Sequence, residues 1–204
     1  MEPSTTTNTQ RDAYLYMVQI LDKIECKQDM VDLMKKVIDL GADLSAEERN
    51  LLSMSYKNII TTRRNGIRTL NVIISSESES ETRKAQLQEF RTTLTQELDK
   101  YCYELIDLVN TKLIPASTNE SAKLFYEKLK GDYYRYVCEA KEGEEKQELA
   151  SKAKECYEKA FEIIKNDDIK QYSPIYLGLV LNYSVFLYEI EGDTQKAISL
   201  AEET

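Results

Sequence analysis

The stretch GDYYRYVCEA, residues 131–140, sets one arginine, Arg135, among Tyr133, Tyr134 and Tyr136 in a chain of net charge −9. Arginine is seldom buried without a partner, and a tyrosine hydroxyl inside a core generally needs one too. Two chemistries suit such a cluster: a polar network satisfied within the protein, or a basic site that receives an anion. Other charges fall together once helical geometry is assumed. Lys57 and Arg64, seven residues apart, project from one helix face, and Arg68 continues that face a turn later. Arg135 and Glu139 form an i, i+4 pair. Taken singly, each reads as an ordinary surface charge or salt bridge.

Several chemistries are excluded by what the chain lacks. It has no histidine, which removes Ser-His and Cys-His nucleophile pairs and helical Glu-x-x-His metal motifs. No Gly-rich phosphate loop is present, and no carboxylate pair is marked for acid–base work, so the chain reads as non-enzymatic. Cys26, Cys102, Cys138 and Cys156 are scattered without a C-x-x-C, which points to free thiols in a reducing compartment and to no zinc, disulfide or cofactor. The sequons at Asn119 and Asn182 read as chance matches in a chain that is not secreted. The acidic balance opposes broad binding to nucleic acid or anionic membrane. No stretch approaches the twenty or so apolar residues of a membrane span, and the N-terminus lacks signal-peptide character.

The elements that must position these residues are helical. The chain has 204 residues, 42% apolar and 31% charged, with six glycines and three prolines, so long helices are accessible nearly everywhere. Residues 1–9 read as a disordered tail and 10–204 as a single helical domain. Helices are predicted over 11–25, over 28–41 with Gly41 as C-terminal cap, and over about thirty residues after a Ser45/Glu48 capping box. The acidic serine tract 75–81 reads as a solvated linker loop, with a phosphorylation tract as the functional alternative. A long helix over 82–114 is expected to stop at Pro115, and another to open on Ser117 and Glu120 at capping-box spacing. Two more follow over 144–166 and from Ser173 with Pro174 at its first turn, and Asp193 starts a last one. The expected fold is all-α, an antiparallel bundle of about eight helices. A tetratricopeptide-like solenoid is the structural alternative, because ECYEKAFEI and TQKAISLAEE carry small-residue spacing without a clean repeat.

Three segments together resemble the 14-3-3 proteins: RNLLSMSYKNIITTRRNGIR (49–68), KLFYEKLKGDYYRYVCEA (123–140) and SPIYLGLVLNYSVFLYEI (173–190). The likeness covers most of the chain, with the segments in order and at near-family spacing. It implies a nine-helix, usually dimeric, non-enzymatic adaptor that binds phosphoserine or phosphothreonine segments of partner proteins in an amphipathic groove. The phosphate pocket it implies is Lys57, Arg64, Arg135 and Tyr136, with Glu139 orienting the basic cluster. Asn182 would hold the peptide backbone, Leu181 and Val185 would form part of an apolar wall, and Glu189 and Lys128 would make peripheral contacts. On this likeness Arg135 faces the groove, while Tyr133 and Tyr134 pack elsewhere. The cytoplasm is the implied location, with the nucleus as a second.

Against the family pattern the ninth helix is missing, so the domain is read as C-terminally incomplete. The dimer interface implied by the resemblance includes Asp29, Phe90 and Glu97. Cys26 and Thr93 stand where the family carries the cations that pair with Glu97 and Asp29, and Phe90 replaces a tyrosine. Gly66 occupies a position where many relatives have serine. A homodimer or heterodimer weakened by the lost cations is therefore expected. The runner-up function is a helical interaction scaffold, tetratricopeptide-like or a relative without phosphate dependence.

Overall fold

The computed structural model describes residues 5–76, 80–166 and 173–202, with no side-chain description for 5–8 and 166. The described residues are helical and contain no strand. They fall into two compact units, Met1–Ala116 and Ser117–Thr204.

The first unit contains α1 (Thr5–Lys23), α2 (Lys27–Leu40), α3 (Ala46–Ser76) and α4 (Glu81–Leu108). A π turn, Val109–Leu113, and the short α5 (Ile114–Ala116) complete it. On α2 the buried residues are Met30, Val31, Met34, Val37 and Ile38, a stripe at helical spacing that faces both α1 and α3. On α3 the buried stripe includes Leu52, Tyr56, Ile59, Ile60, Ile67 and Leu70. It packs along α4, where Leu98, Cys102, Leu105 and Ile106 are buried.

Polar cross-links fix the register of α3 on α4. Tyr56 donates to Glu104 at 2.6 Å, Arg63 Nε lies 3.0 Å from Glu97, and Arg91 Nε donates to Asn71. These pairs ascend one helix while descending the other, which makes the hairpin antiparallel. Between them the helices approach closely: a Cβ on Gly66 would come within 2.9 Å of Leu94 Cδ1. Lys35 ties α2 into the same brace through Glu104 at 3.0 Å, and also meets Asp32 on its own helix at 3.2 Å. Glu97, one of the candidate interface residues, thus meets a cation of its own chain.

The start of α3 is a capping box. Ser45 N–H donates to Glu48 Oε2 at 2.7 Å, and Glu48 N–H donates to Ser45 Oγ at 3.3 Å. Glu48 also receives Arg11 Nε at 2.6 Å, while Arg11 Nη1 donates to the carbonyls of Val37 and Gly41, each at 2.9 Å. One guanidinium thereby joins α1, the end of α2 and the beginning of α3. Gly41 closes α2 with its N–H on Ile38 O, but with extended backbone (φ 167°) and not in the left-handed cap conformation.

Two further boundaries differ from expectation. Pro115 does not end the helix at its own position. The ladder widens into the π turn ahead of it, with Ile114 N–H reaching Val109 O, which accommodates a residue without an N–H inside a continuing helix. The cap of the next helix is Asn119, not Ser117: its backbone is extended, and its Oδ1 accepts from Ala122 N–H at 2.8 Å. Ser117 lies too far ahead of the first helical residue to do this. α1 starts at Thr5, inside the segment read as a tail, whereas residues 1–4 and the middle of the serine tract, 77–79, lie outside the described residues.

The second unit contains α6 (Glu120–Cys138), α7 (Gly143–Asn166), α8 (Pro174–Phe186), a π turn (Leu187–Glu191) and α9 (Thr194–Glu202). α6 and α7 form a closely packed pair, with Ala150, Ala153 and Ala160 buried on α7. Ser173 caps α8 by accepting from Tyr176 N–H, with Pro174 at its first turn. Gly192, at φ 70°, turns the chain, and Asp193 caps α9 by accepting from Lys196 N–H at 3.0 Å.

The capping box has a pH signature. Burial alone would raise the Glu48 pKa, but the Arg11 contact and the two bonds with Ser45 overcome it and hold the carboxyl below its ordinary value. A depressed folded-state value means stability that is complete above the unfolded value and lost as pH falls through the folded one. Thermal melts should therefore show the wild type losing stability on acidification through and below the usual glutamate range. Glu48→Gln should flatten that part of the profile and lower the plateau by about 1 kcal/mol, because the amide can still cap the helix but loses the charge that pairs with Arg11.

Candidate functional site

Lys128, Asp132 and Arg135 on α6 and Glu139 at its C-cap succeed one another at three- and four-residue spacing, so all four project from one face. Asp132 and Arg135 are each 5% exposed. A carboxylate so buried has to be satisfied by its surroundings, and it draws partners from its own helix and from two neighbours. From α7, Tyr157 donates its hydroxyl to Asp132 Oδ1 at 2.7 Å. From α8, Asn182 Nδ2 lies 2.8 Å from each carboxylate oxygen. From α6 itself, Lys128 Nζ reaches Oδ2 at 2.9 Å, and Arg135 Nη2 stands 3.6 Å from Oδ1.

Arg135 completes the network on its other edges. Its Nε donates to Tyr157 at 3.3 Å, and its Nη1 lies 3.4 Å from Glu139. Its Cζ sits 4.7 Å from the centroid of the Tyr136 ring, a cation–π contact. Burial opposes the charge on the guanidinium, but Tyr157, Asp132 and Tyr136 around it more than compensate and raise its pKa above the ordinary arginine value. Burial, and then the Asp132 charge, push the Tyr157 hydroxyl well up, so it stays a donor.

Tyr157 reaches this position because α6 offers it a flat surface. A Cβ on Gly131 would stand 2.8 Å from Tyr157 Cε1 and 2.9 Å from Cδ1. Behind the ring lie Tyr183 and Phe186, with centroids 5.2 and 5.7 Å away. Of the opening cluster, Tyr133 is buried and packs on Tyr136 at 5.5 Å, while Tyr134 is half-buried.

The remaining sequence-derived candidates fall as follows. Leu181 is exposed on α8, Val185 is half-buried one turn later, and Glu189 is exposed in the π turn. In the first unit, Lys57 is exposed and Arg64 half-buried on α3, two turns apart. Asp29 and Phe90 are exposed on α2 and α4. The second unit therefore gathers Lys128, Arg135 and Asn182 around Asp132, with Tyr136 and Glu139 against Arg135. Asp132 and Tyr157 escaped the sequence reading. Asp132 could have been found from its i+4 and i+3 spacing to Lys128 and Arg135; nothing local marks Tyr157.

No nucleophile or metal centre competes with this reading among the described residues. Cys138 and Cys156 are buried, and burial pushes both thiols up, Cys156 to about 11, the opposite of a reactive cysteine. All four cysteines are free. The described residues contain no cluster of metal-ligating side chains and no helix long and apolar enough to cross a membrane.

The second unit thus places a buried, charged network where three helices meet. A family model described as "14-3-3 protein" matches residues 17–204. The chain is 42% identical over 183 residues to 14-3-3 protein beta/alpha-A of Xenopus laevis, covering 90% of this chain and 75% of that one. It is 40% identical over 185 residues to 14-3-3-like protein 2 of Caenorhabditis elegans, with 91% and 74% covered. With 14-3-3 protein zeta of Bombyx mori the identity is 38% over 193 residues, with 95% and 78% covered. The chain belongs to the 14-3-3 family, and membership carries a non-enzymatic adaptor role toward protein partners.

The Gly131 contact yields a test in which two effects have opposite signs. Helix propensity alone makes Gly131→Ala stabilising by up to about 1 kcal/mol, whereas overpacking against a buried ring costs about 1–3 kcal/mol. The second should win, because Tyr157 is enclosed by Tyr183 and Phe186 and cannot withdraw freely. Thermal or urea unfolding of Gly131→Ala should show a net loss of stability; a net gain would mean that the ring is not seated as described.

Proposed function

We propose that the chain acts by binding phosphoserine- or phosphothreonine-containing segments of partner proteins, with Arg135 and Tyr136 holding the phosphate. The observation that carries this reading is the state of the Arg135 guanidinium. It is fixed in place on three edges, yet its contacts, at 3.3, 3.4 and 3.6 Å, are long beside the roughly 2.7–2.9 Å of strong charge-assisted bonds. A phosphate, with close to two negative charges and three strong acceptors, offers this group better bonds than those it makes. Lys57 and Arg64 on α3 are proposed as further phosphate-binding residues. Asn182 is proposed to hold the peptide backbone, Leu181 and Val185 to form part of the apolar wall, and Glu189, Glu139 and Lys128 to lie around it. Four free thiols suit a reducing compartment, and we place the activity in the cytoplasm or nucleus.

One observation favours the second reading, a helical scaffold without phosphate dependence: every edge of Arg135 already meets a group of its own chain. The two readings separate in a titration of one peptide in phosphoserine and unmodified forms. Clear preference for the phosphorylated form is expected, and Arg135→Ala should remove more than tenfold of that affinity, since each charge-assisted bond contributes roughly 1.5–3 kcal/mol. Equal affinities for the two forms would establish the scaffold.

The proposed adaptor also self-associates, as a homodimer or heterodimer, more weakly than its relatives. Phe90 is 56% and Val72 68% exposed, which suits apolar contact between protomers. Cys26 and Thr93 supply no cations there, and Glu97 is already held by Arg63. Sedimentation velocity should show monomer and dimer exchanging at micromolar concentration, and Thr93→Lys with Cys26→Arg should shift the balance toward dimer. A dimer that persists on dilution to nanomolar concentration would contradict this.

A further inference from the structure

We infer that Asp132 is the positioning residue that couples phosphate anchoring to backbone recognition, an inference that rests on the phosphopeptide reading above. Two residues with different tasks, Arg135 on α6 and Asn182 on α8, meet at this one carboxylate. Asn182 Nδ2 lies 2.8 Å from both carboxylate oxygens, which fixes the orientation of the amide and leaves its Oδ1 on the side away from the carboxylate. An acceptor presented in that way recognises a peptide N–H. The same Oδ1 of Asp132 takes the Tyr157 hydroxyl at 2.7 Å, and Tyr157 in turn receives Arg135 Nε at 3.3 Å. The guanidinium and the amide are thus held at a set separation by one carboxylate and one phenol. The helices that carry Asn182 and Arg135 are joined here across fifty residues of sequence.

Asp132 also acts on the anion directly, and with the opposite sign. It is a negative charge 3.6 Å from Arg135 Nη2, so it repels a phosphate brought to that guanidinium. Its effects therefore divide: it favours a peptide through Asn182 and disfavours a bare anion through its own charge. A merely structural residue would influence both ligands in the same direction.

The test compares three ligands on the whole chain: a phosphoserine peptide, the same peptide unmodified, and inorganic phosphate. Asp132→Asn keeps the shape and an acceptor for Tyr157 but removes the charge and one acceptor for Asn182. It should weaken the phosphopeptide by roughly tenfold, the worth of one charge-assisted bond, while inorganic phosphate binds as well as before or more tightly. Tyr157→Phe, which leaves Asp132 and Asn182 in contact, should lower phosphopeptide affinity less than Asp132→Asn does. In a double-mutant cycle, adding Asn182→Ala to Asp132→Asn should cost little further phosphopeptide affinity, because both changes disable one device. Parallel loss of phosphopeptide and inorganic phosphate, additive effects in the cycle, or an unchanged phosphopeptide affinity would each overturn the inference while leaving the phosphate reading intact. A wild-type protein that binds both peptide forms equally would overturn that reading and this inference with it.

Discussion

A carboxylate buried to the extent of Asp132 cannot stand alone, because removing a charge from water costs several kcal/mol unless neighbouring groups replace the lost solvation. In the second unit that requirement organises three helices. Tyr157 on α7, Asn182 on α8 and Lys128 on α6 all turn their polar atoms toward it. Packing follows from the same demand: the Tyr157 ring can reach the carboxylate only where Gly131 leaves α6 without a side chain. Tyr183 and Phe186 then close over the ring. The charged face and the aromatic core beneath it form one construction, and breaking the buried set at one partner would leave a charge that the core cannot accommodate.

The first unit is built on a comparable principle with a cation at its centre. Arg11 joins α1 to the Glu48 capping box and to two carbonyls at the end of α2. Tyr56, Glu104 and Lys35 then brace α2, α3 and α4. These contacts hold α3 as a long, regular helix, and a regular helix is what keeps Lys57 and Arg64 on one face. The acidic chain thus concentrates its few structurally constrained cations where each meets defined partners. Net charge therefore predicts little about what the protein can bind locally.

Local physics was readable in the sequence, and long-range geometry was not. The Ser45/Glu48 box and the Ser173–Pro174 start follow from side chains bonding to their own backbone within a turn, and both appear as expected. The Asn119 cap was overlooked in favour of Ser117 because both residue types suit the role, and only the position of the first helical turn decides between them. Pro115 was read as a stop because a proline usually breaks the ladder; the π turn before it absorbs the defect. Arg135 stands out by type among the tyrosines, and Tyr136 and Asn182 through family resemblance. The bond from Asn182 to Asp132 spans separate helices, as does the one from Arg63 to Glu97, and no periodicity encodes such pairings.

In the proposed function the network around Asp132 serves as a preassembled platform for a phosphorylated segment. A crystal structure of the chain with a bound phosphoserine peptide tests this most directly. The phosphate should lie within hydrogen-bond distance of the Arg135 guanidinium and the Tyr136 hydroxyl, with a peptide N–H on Asn182 Oδ1 and the Asn182–Asp132 contact unbroken. A phosphate bound away from Arg135, or an Asn182 side chain turned off Asp132 to meet the peptide, would contradict it.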